Sequence, residues 1–276
     1  MPTDSAARAA VRANVARGTD AVKFWLVMRQ GADTAAIVAT VRAAGEEAHR
    51  LGARFIVHAT TLWAAKTALR AGADLLVHSV EDAPVDDEFL ALAREHGTIY
   101  TPTLTVRDGY RQVAARHFEP HYPLDCVDPA TLAVVRATDT IPGGQSPEAA
   151  ERERAQATER VERTLRNLAA VSAAGITVAM GTDAGNPLTL HGPSVYWEME
   201  EMQRAGMRPM EVLVASTRNG ARAMGRERDL GTLEVGKQAD LVVLDADPTA
   251  DIANVRRIRY VMRGGAMNTQ RLLAPR

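Results

Sequence analysis

The stretch ARFIVHATTLWAAKTALRAGADLLVHS, residues 53–79, holds one full unit of the fold. Arg54–His58 is a short apolar run of strand length, Thr61–Ala71 carries a helical spacing that Gly72 ends, and Asp74–His78 is a second strand-like run. Two strands joined through a helix of that length pair in parallel with a right-handed crossover. Both strands close on a histidine, so parallel pairing brings His58 and His78 to the same edge.

The same unit repeats on either side. Upstream, Ala21–Met28 is apolar apart from Lys23 and suits a strand buried on both faces. A helix over Thr34–Leu51 follows, with Ile37, Val41, Ala44 and Ala48 on one face and Gly52 as its stop. Downstream, a helix over Val85–His96 stops at Gly97 and a fourth strand spans Thr98–Thr101. A polar, Pro-rich excursion then runs to about Ser146, before a helix over Pro147–Ala174 and a fifth strand over Ile176–Met180. Helices near Ser194–Ala205 and Pro209–Met224 finish this region. After Gly231 the pattern changes to short strands, Asp240–Leu244 and Arg257–Met262. The expected organisation is an α/β chain with a barrel portion over residues 1–228 and a C-terminal β element over residues 229–276. No Gly-rich phosphate loop follows any strand, which weighs against a nucleotide-binding open sheet and favours a (β/α) barrel with polar residues at its mouth.

Composition bounds the function. The 276 residues are 46% hydrophobic and 24% charged with a formal net charge of −1, so no basic surplus draws nucleic acid or an anionic membrane. Met1–Asp20 contains no apolar run of the export-signal kind, and Phe24–Met28 and Leu241–Leu244 are too short to span a bilayer. The lone cysteine, Cys126, sits in a loop-like stretch and fits a reducing, cytoplasmic setting.

Lysine usage is more pointed: of 33 Lys plus Arg residues only Lys23, Lys66 and Lys237 are lysine. Lys23 lies inside an apolar strand, where burial disfavours the ammonium and prepares a neutral amine. Such an amine can take up carbon dioxide as a carbamate, a carboxylate on a long stem, which arginine cannot do. Asp183 follows Gly181 and Thr182 at the end of the fifth strand, the same edge as His58 and His78. Taken singly, a strand-end histidine is more often a hydrogen-bonded structural residue. Four metal-competent groups on four strands of one parallel set point instead to a divalent-metal site at the strand ends. His191, in a Pro- and Gly-containing loop, fits a surface loop or a substrate contact equally, whereas His49, His96, His117 and His121 read as solvated or helix-end histidines.

These residues resemble the amidohydrolase superfamily, in its imidazolonepropionase-like and prolidase-like branch. The resemblance runs through Asp20–Lys23, the strand ending at His58 with Ala68–Gly72, Leu76–His78, Tyr100–Leu104 and Gly175–Gly185. Its most specific part is Gly231–Asp245, GTLEVGKQADLVVLD, which is similar to the family's return from the barrel to a small β-sandwich. The resemblance implies a (β/α)8-type TIM barrel and a metal-dependent hydrolase in which activated hydroxide attacks an amide, cyclic amide or peptide carbonyl. It implies that Lys23 is the carbamylated bridging lysine, that His58 and His78 bind metal, and that Asp183 is both ligand and proton shuttle. Zinc is the ion expected, as one or two ions, with carbon dioxide needed for Lys23.

The chain departs from the family in lacking any His-x-His. Only five barrel strands are recognisable, so the resemblance implies an incomplete, N-terminally truncated barrel. The expected partners are a small amide or dipeptide-like substrate and a second copy or complementing N-terminal chain that covers the open edge. The alternative is a fragment that is catalytically incomplete without those strands.

Overall fold

The computed structural model describes residues 3–28, 30–121, 124, 127–142 and 146–269. Cys126 lies outside the described residues. The chain opens with a helix that the Ala/Arg-rich start did not announce, α1 (Asp4–Ala16), begun by the Thr3 side chain accepting from the Ala6 amide. Its apolar stripe is only Ala7 and Val11, and ion pairs hold it to the next helix, Arg12 to Glu47 at 2.9 Å.

The alternating pattern then follows as expected: β1 (Ala21–Trp25), α2 (Thr34–Arg50), β2 (Arg54–His58), α3 (Leu62–Arg70), β3 (Leu75–Val77), α4 (Asp87–Glu95) and β4 (Ile99–Thr101). The strands form one parallel sheet in chain order, with Trp25 opposite His58, His58 opposite Val77 and Val77 opposite Thr101. Each intervening helix has a capping side chain, Asp33, Thr61 or Asp86, that accepts an amide three residues on. The helix-covered face buries Val22, Phe55, Val57, Leu76 and Tyr100.

Two strand expectations need correction. Ala21–Met28 is not buried on both faces: Lys23 is exposed and Trp25 is 70% exposed, because β1 is the edge of this sheet and no described residue covers that side of it. The burial invoked for the Lys23 amine is therefore absent here. The fifth strand, Ile176–Met180, shrinks to an isolated parallel bridge between Val178 and Tyr100, with the Tyr100 amide donating to the Thr177 carbonyl at 2.8 Å. It goes no further because the Met180 amide donates to the Ala215 carbonyl instead.

The excursion expected to be irregular is largely helical, as α5 (Leu104–Ala115), α6 (Pro129–Arg136) and a 3₁₀ turn over Ala137–Thr140. Pro129 at the head of α6 needs no amide partner there, and Asp128 caps the helix by accepting from Thr131. Phe118 and Val135 from this region join Leu188, Leu190 and Trp197 in one apolar cluster. The chain continues with α7 (Pro147–Ala173), α8 (Ser194–Arg204), α9 (Pro209–Ser216) and α10 (Arg218–Ala223). The single helix expected over Pro209–Met224 is broken at Thr217, φ −124° and ψ −87°. An antiparallel sheet closes the chain: β5 (Leu241–Leu244), β6 (Ile258–Arg263) and β7 (Ala266–Thr269). The sequence pattern did not show β7, which is reached through the left-handed pair Gly264–Gly265.

Two compact units result, Met1–Pro102 with Arg166–Val178, and Thr103–Leu165 with Ala179–Arg276.

In the first unit α2 approaches the α3 end so closely that a Cβ on Gly45 would lie 2.3 Å from the Ala71 carbonyl oxygen and 3.1 Å from the Phe55 ring. Alanine normally favours a helix interior, by about 0.5–1 kcal/mol over glycine. At this position overpacking outweighs that gain, and Gly45→Ala is expected to lower the urea-unfolding free energy by about 1–2 kcal/mol. An unchanged or raised midpoint would show that the α2–α3 contact is not close-packed.

Candidate metal centre

Paired residues of parallel strands share a face, so the register places Lys23 and Trp25 of β1 with Ile56 and His58 of β2 and Val77 of β3. By the same alternation His78, one residue beyond Val77, would point to the opposite side. Its backbone is left-handed instead, φ 76°, and the ring swings back so that the His58 and His78 ring centres lie 4.5 Å apart, edge to face. The Trp25 ring stacks on the other side of His58 at 4.9 Å, and Lys23 Nζ lies 5.9 Å from the Trp25 ring centre. His78 is buried and His58 half-buried. The turn is fixed by the amides of His78 and Ser79, which donate to the carbonyls of Thr101 and Pro102 at 2.9 Å each. Behind it, buried Asn167 of α7 donates to the Val80 and Ala83 carbonyls and accepts from the Val85 amide. Tyr100 closes the floor of this unit, and burial pushes its phenol up to about 12.

Two imidazoles this close on adjacent strand ends supply nitrogen donors of the type that divalent ions take. Among the described residues no set of three His, Cys, Asp or Glu converges, so the pair needs further donors to fill a tetrahedral shell.

The other two expected site residues belong to the second unit. Asp183 is exposed, in the left-handed region at φ 51°, and Asn186 Nδ2 donates both to its carbonyl oxygen at 2.9 Å and to its Oδ2 at 2.8 Å. His191 is exposed and its Nε2 lies 3.6 Å from where a Gly185 Cβ would stand, which sets the ring against the Asp183 turn. That turn is closed by the Gly185 amide donating to the Thr189 carbonyl at 2.9 Å.

Sequence reasoning missed several residues around these groups. Trp25 was legible as the position two after Lys23 on the same face. His121, read as solvated, is half-buried: its Nε2 is 3.5 Å from Asp108 Oδ2, and its ring packs on Trp197 at 5.0 Å. Burial alone would raise the Asp108 carboxyl, but bonds from His121, Arg111 and Gln112 prevail and hold it at about 2. The bond to Asp108 in turn raises His121, against its partial burial. Glu198 is fully buried on α8, accepting from the Leu104 and Thr105 amides at 2.8 and 2.9 Å.

A family model for the amidohydrolase family matches residues 4–267. The chain belongs to the amidohydrolase family. Relatives of this amidohydrolase include an imidazolonepropionase of Shouchella clausii, 40% identical over 103 residues that make up 36% of this chain and 23% of that protein. An ochratoxinase of Aspergillus niger is 32% identical over 98 residues, 34% of this chain and 20% of that protein. Among solved structures, a Xaa-Pro dipeptidase with bound methionine in its active site superposes with a TM-score of 0.71 at 23% identity, covering 98% of this chain and 59% of that one. The amidohydrolase chain thus spans less than two thirds of the proteins it matches, and its fold is of their TIM-barrel-like α/β kind.

Burial pushes the Glu198 carboxyl up to about 7, against the two amide bonds that favour its charged form. A raised carboxyl contributes stability that is whole below its unfolded value and lost as pH climbs through its folded one. The unfolding free energy of wild type relative to Glu198→Gln is therefore expected to fall between about pH 4.5 and pH 7 and to level off above. A difference that stays flat across that window in paired denaturant titrations would rule this out.

Proposed function

We propose that this chain is a metal-dependent amidohydrolase in which His58 and His78 hold a divalent ion, zinc being the expected one, at the strand ends. The observation that supports it is the His58–His78 pair, brought edge to face by the left-handed backbone of His78, with Lys23 on the same sheet face as His58. A bound ion would supply a Lewis acid and bring the pKa of water to about 7. Lys23 completes the donor set as a carbamate, its amine nitrogen bonding the carbon of carbon dioxide and releasing a proton. Asp183, held by Asn186, serves as ligand and takes a proton that it returns to the leaving amine. His191, against the same turn, contacts the substrate.

The substrate class is a small amide, cyclic amide or dipeptide-like molecule, in keeping with relatives named for an imidazolone and a Xaa-Pro dipeptide. The barrel is of the (β/α)8 type with part of its strands in this chain, and the antiparallel strands β5–β7 belong to a small C-terminal sandwich. The net charge of −1 weighs against nucleic acid or an anionic membrane as a partner, and the single cysteine supports a reducing, cytoplasmic setting. Among the described residues no helix is long and apolar enough to cross a membrane.

A second reading is favoured by the exposure of Lys23 and by the short donor set: a site that becomes active only when a further segment, a complementing chain or a second copy covers β1.

Metal content decides between them. After incubation with zinc and bicarbonate and removal of loose metal, wild type is expected to keep about one ion per chain, and His58→Ala, His78→Ala and Lys23→Ala to keep far less. Release of amine from dipeptides or cyclic amides by the loaded wild type would carry the stand-alone enzyme. Folded wild type that keeps no zinc would exclude it and leave the completed-site reading.

A further inference from the structure

Glu198 is a carboxylate that the proposed chemistry does not use, in a place where an unneeded charge is costly. It lies on the buried stripe of α8 formed by Ser194, Trp197, Glu198, Glu201 and Met202, with no exposed surface. Desolvating a carboxylate is tolerated only with strong partners, and both its oxygens are engaged at the head of α5. That head lacks the usual cap: Thr103, the residue before α5, is left-handed at φ 49° and its side chain makes no capping bond. A glutamate 94 positions along the chain from Leu104 replaces it.

What α5 then touches gives the cap a purpose. Buried Thr105, whose amide Glu198 holds, donates its hydroxyl to the Thr182 carbonyl at 3.3 Å, the residue just before Asp183. One turn further on, Gly109 meets the far side of the same turn: a Cβ there would stand 2.2 Å from the Pro187 carbonyl oxygen and 3.4 Å from Thr189 Oγ1. Thr189 in turn accepts the Gly185 amide that closes the Asp183 turn. The left-handed backbone of Asp183 needs outside support, because it stores strain.

We propose that Glu198 is a positioning residue for Asp183: it pins the first turn of α5, and α5 clamps both ends of the turn that carries Asp183 through Thr105 and Gly109. The inference rests on the role given to Asp183 above, but its test does not need metal or turnover.

Amide hydrogen exchange of the full chain, without added metal, reads the clamp directly. In Glu198→Gln, whose amide nitrogen cannot accept both backbone donors, exchange at Gly185 and Thr189 is expected to quicken at least about tenfold relative to amides of β6 in the same unit. Thr105→Val keeps the two amide bonds to Glu198 and removes the Thr105 hydroxyl, which reaches both Thr182 and the Glu198 carboxyl, so it is expected to quicken Gly185 and Thr189 more than Leu104 and Thr105. Faster exchange at Leu104 and Thr105 alone would reduce Glu198 to a helix cap and overturn the proposal. Uniform acceleration through the unit, β6 included, would show a general loss of stability and overturn it equally. If Glu198→Gln does not fold, Thr105→Val decides, and unchanged exchange at Gly185 and Thr189 overturns the clamp. Failure of wild type to hold zinc would remove the metal reading while leaving this comparison standing.

Discussion

A single backbone angle governs what the first unit can do. The left-handed turn at His78 reverses the alternation of β3 and puts two imidazoles on one face. An L-residue in that region pays roughly 1–2 kcal/mol, and the offset is visible next door in the two amides that bond to the end of β4 and in Asn167, which gathers the following loop. Without those bonds the strand end would relax and His58 and His78 would part. The packing of β4 and α7 against β3 is thus a condition of the histidine pair as well as of the core.

The second unit uses the same device in different material. Asp183 is left-handed too, and its turn is bounded by Asn186 within and α5 outside. At both places a residue with metal-binding chemistry sits in a conformation it would not choose alone, held by bonds from elements distant in sequence. Rigid, over-determined surroundings of that kind hold both side chains in one geometry.

Strand–helix alternation was legible because it rests on local spacing: apolar runs of strand length, helical stripes, and a glycine after each helix. His58 and His78 were legible because they end such runs. The exposure of Lys23 was not, since burial of a strand depends on which strands lie beside it, and a run of Val, Phe and Trp reads alike at an edge and at a centre. The helices α5 and α6 were obscured by their prolines and polar residues, although Asp128–Pro129 is a good helix start. Glu198 and Glu201 could have been noticed as carboxylates at the spacing of an apolar stripe, but the partners of Glu198 lie some 90 residues away and no spacing reveals them. The role of His121 depends in the same way on Asp108 and Trp197 folding against it.

The scarcity of lysine has a further consequence. Lys66 is committed to Asp86 and Glu88, and Lys237 to the Glu227 carbonyl and the Thr232 hydroxyl, both with little exposed side chain. Lys23 alone of the three lysines is exposed, with the Trp25 ring beside its amine among the described residues. To an electrophile that selects lysine side chains by solvent access the molecule therefore offers Lys23 ahead of Lys66 and Lys237.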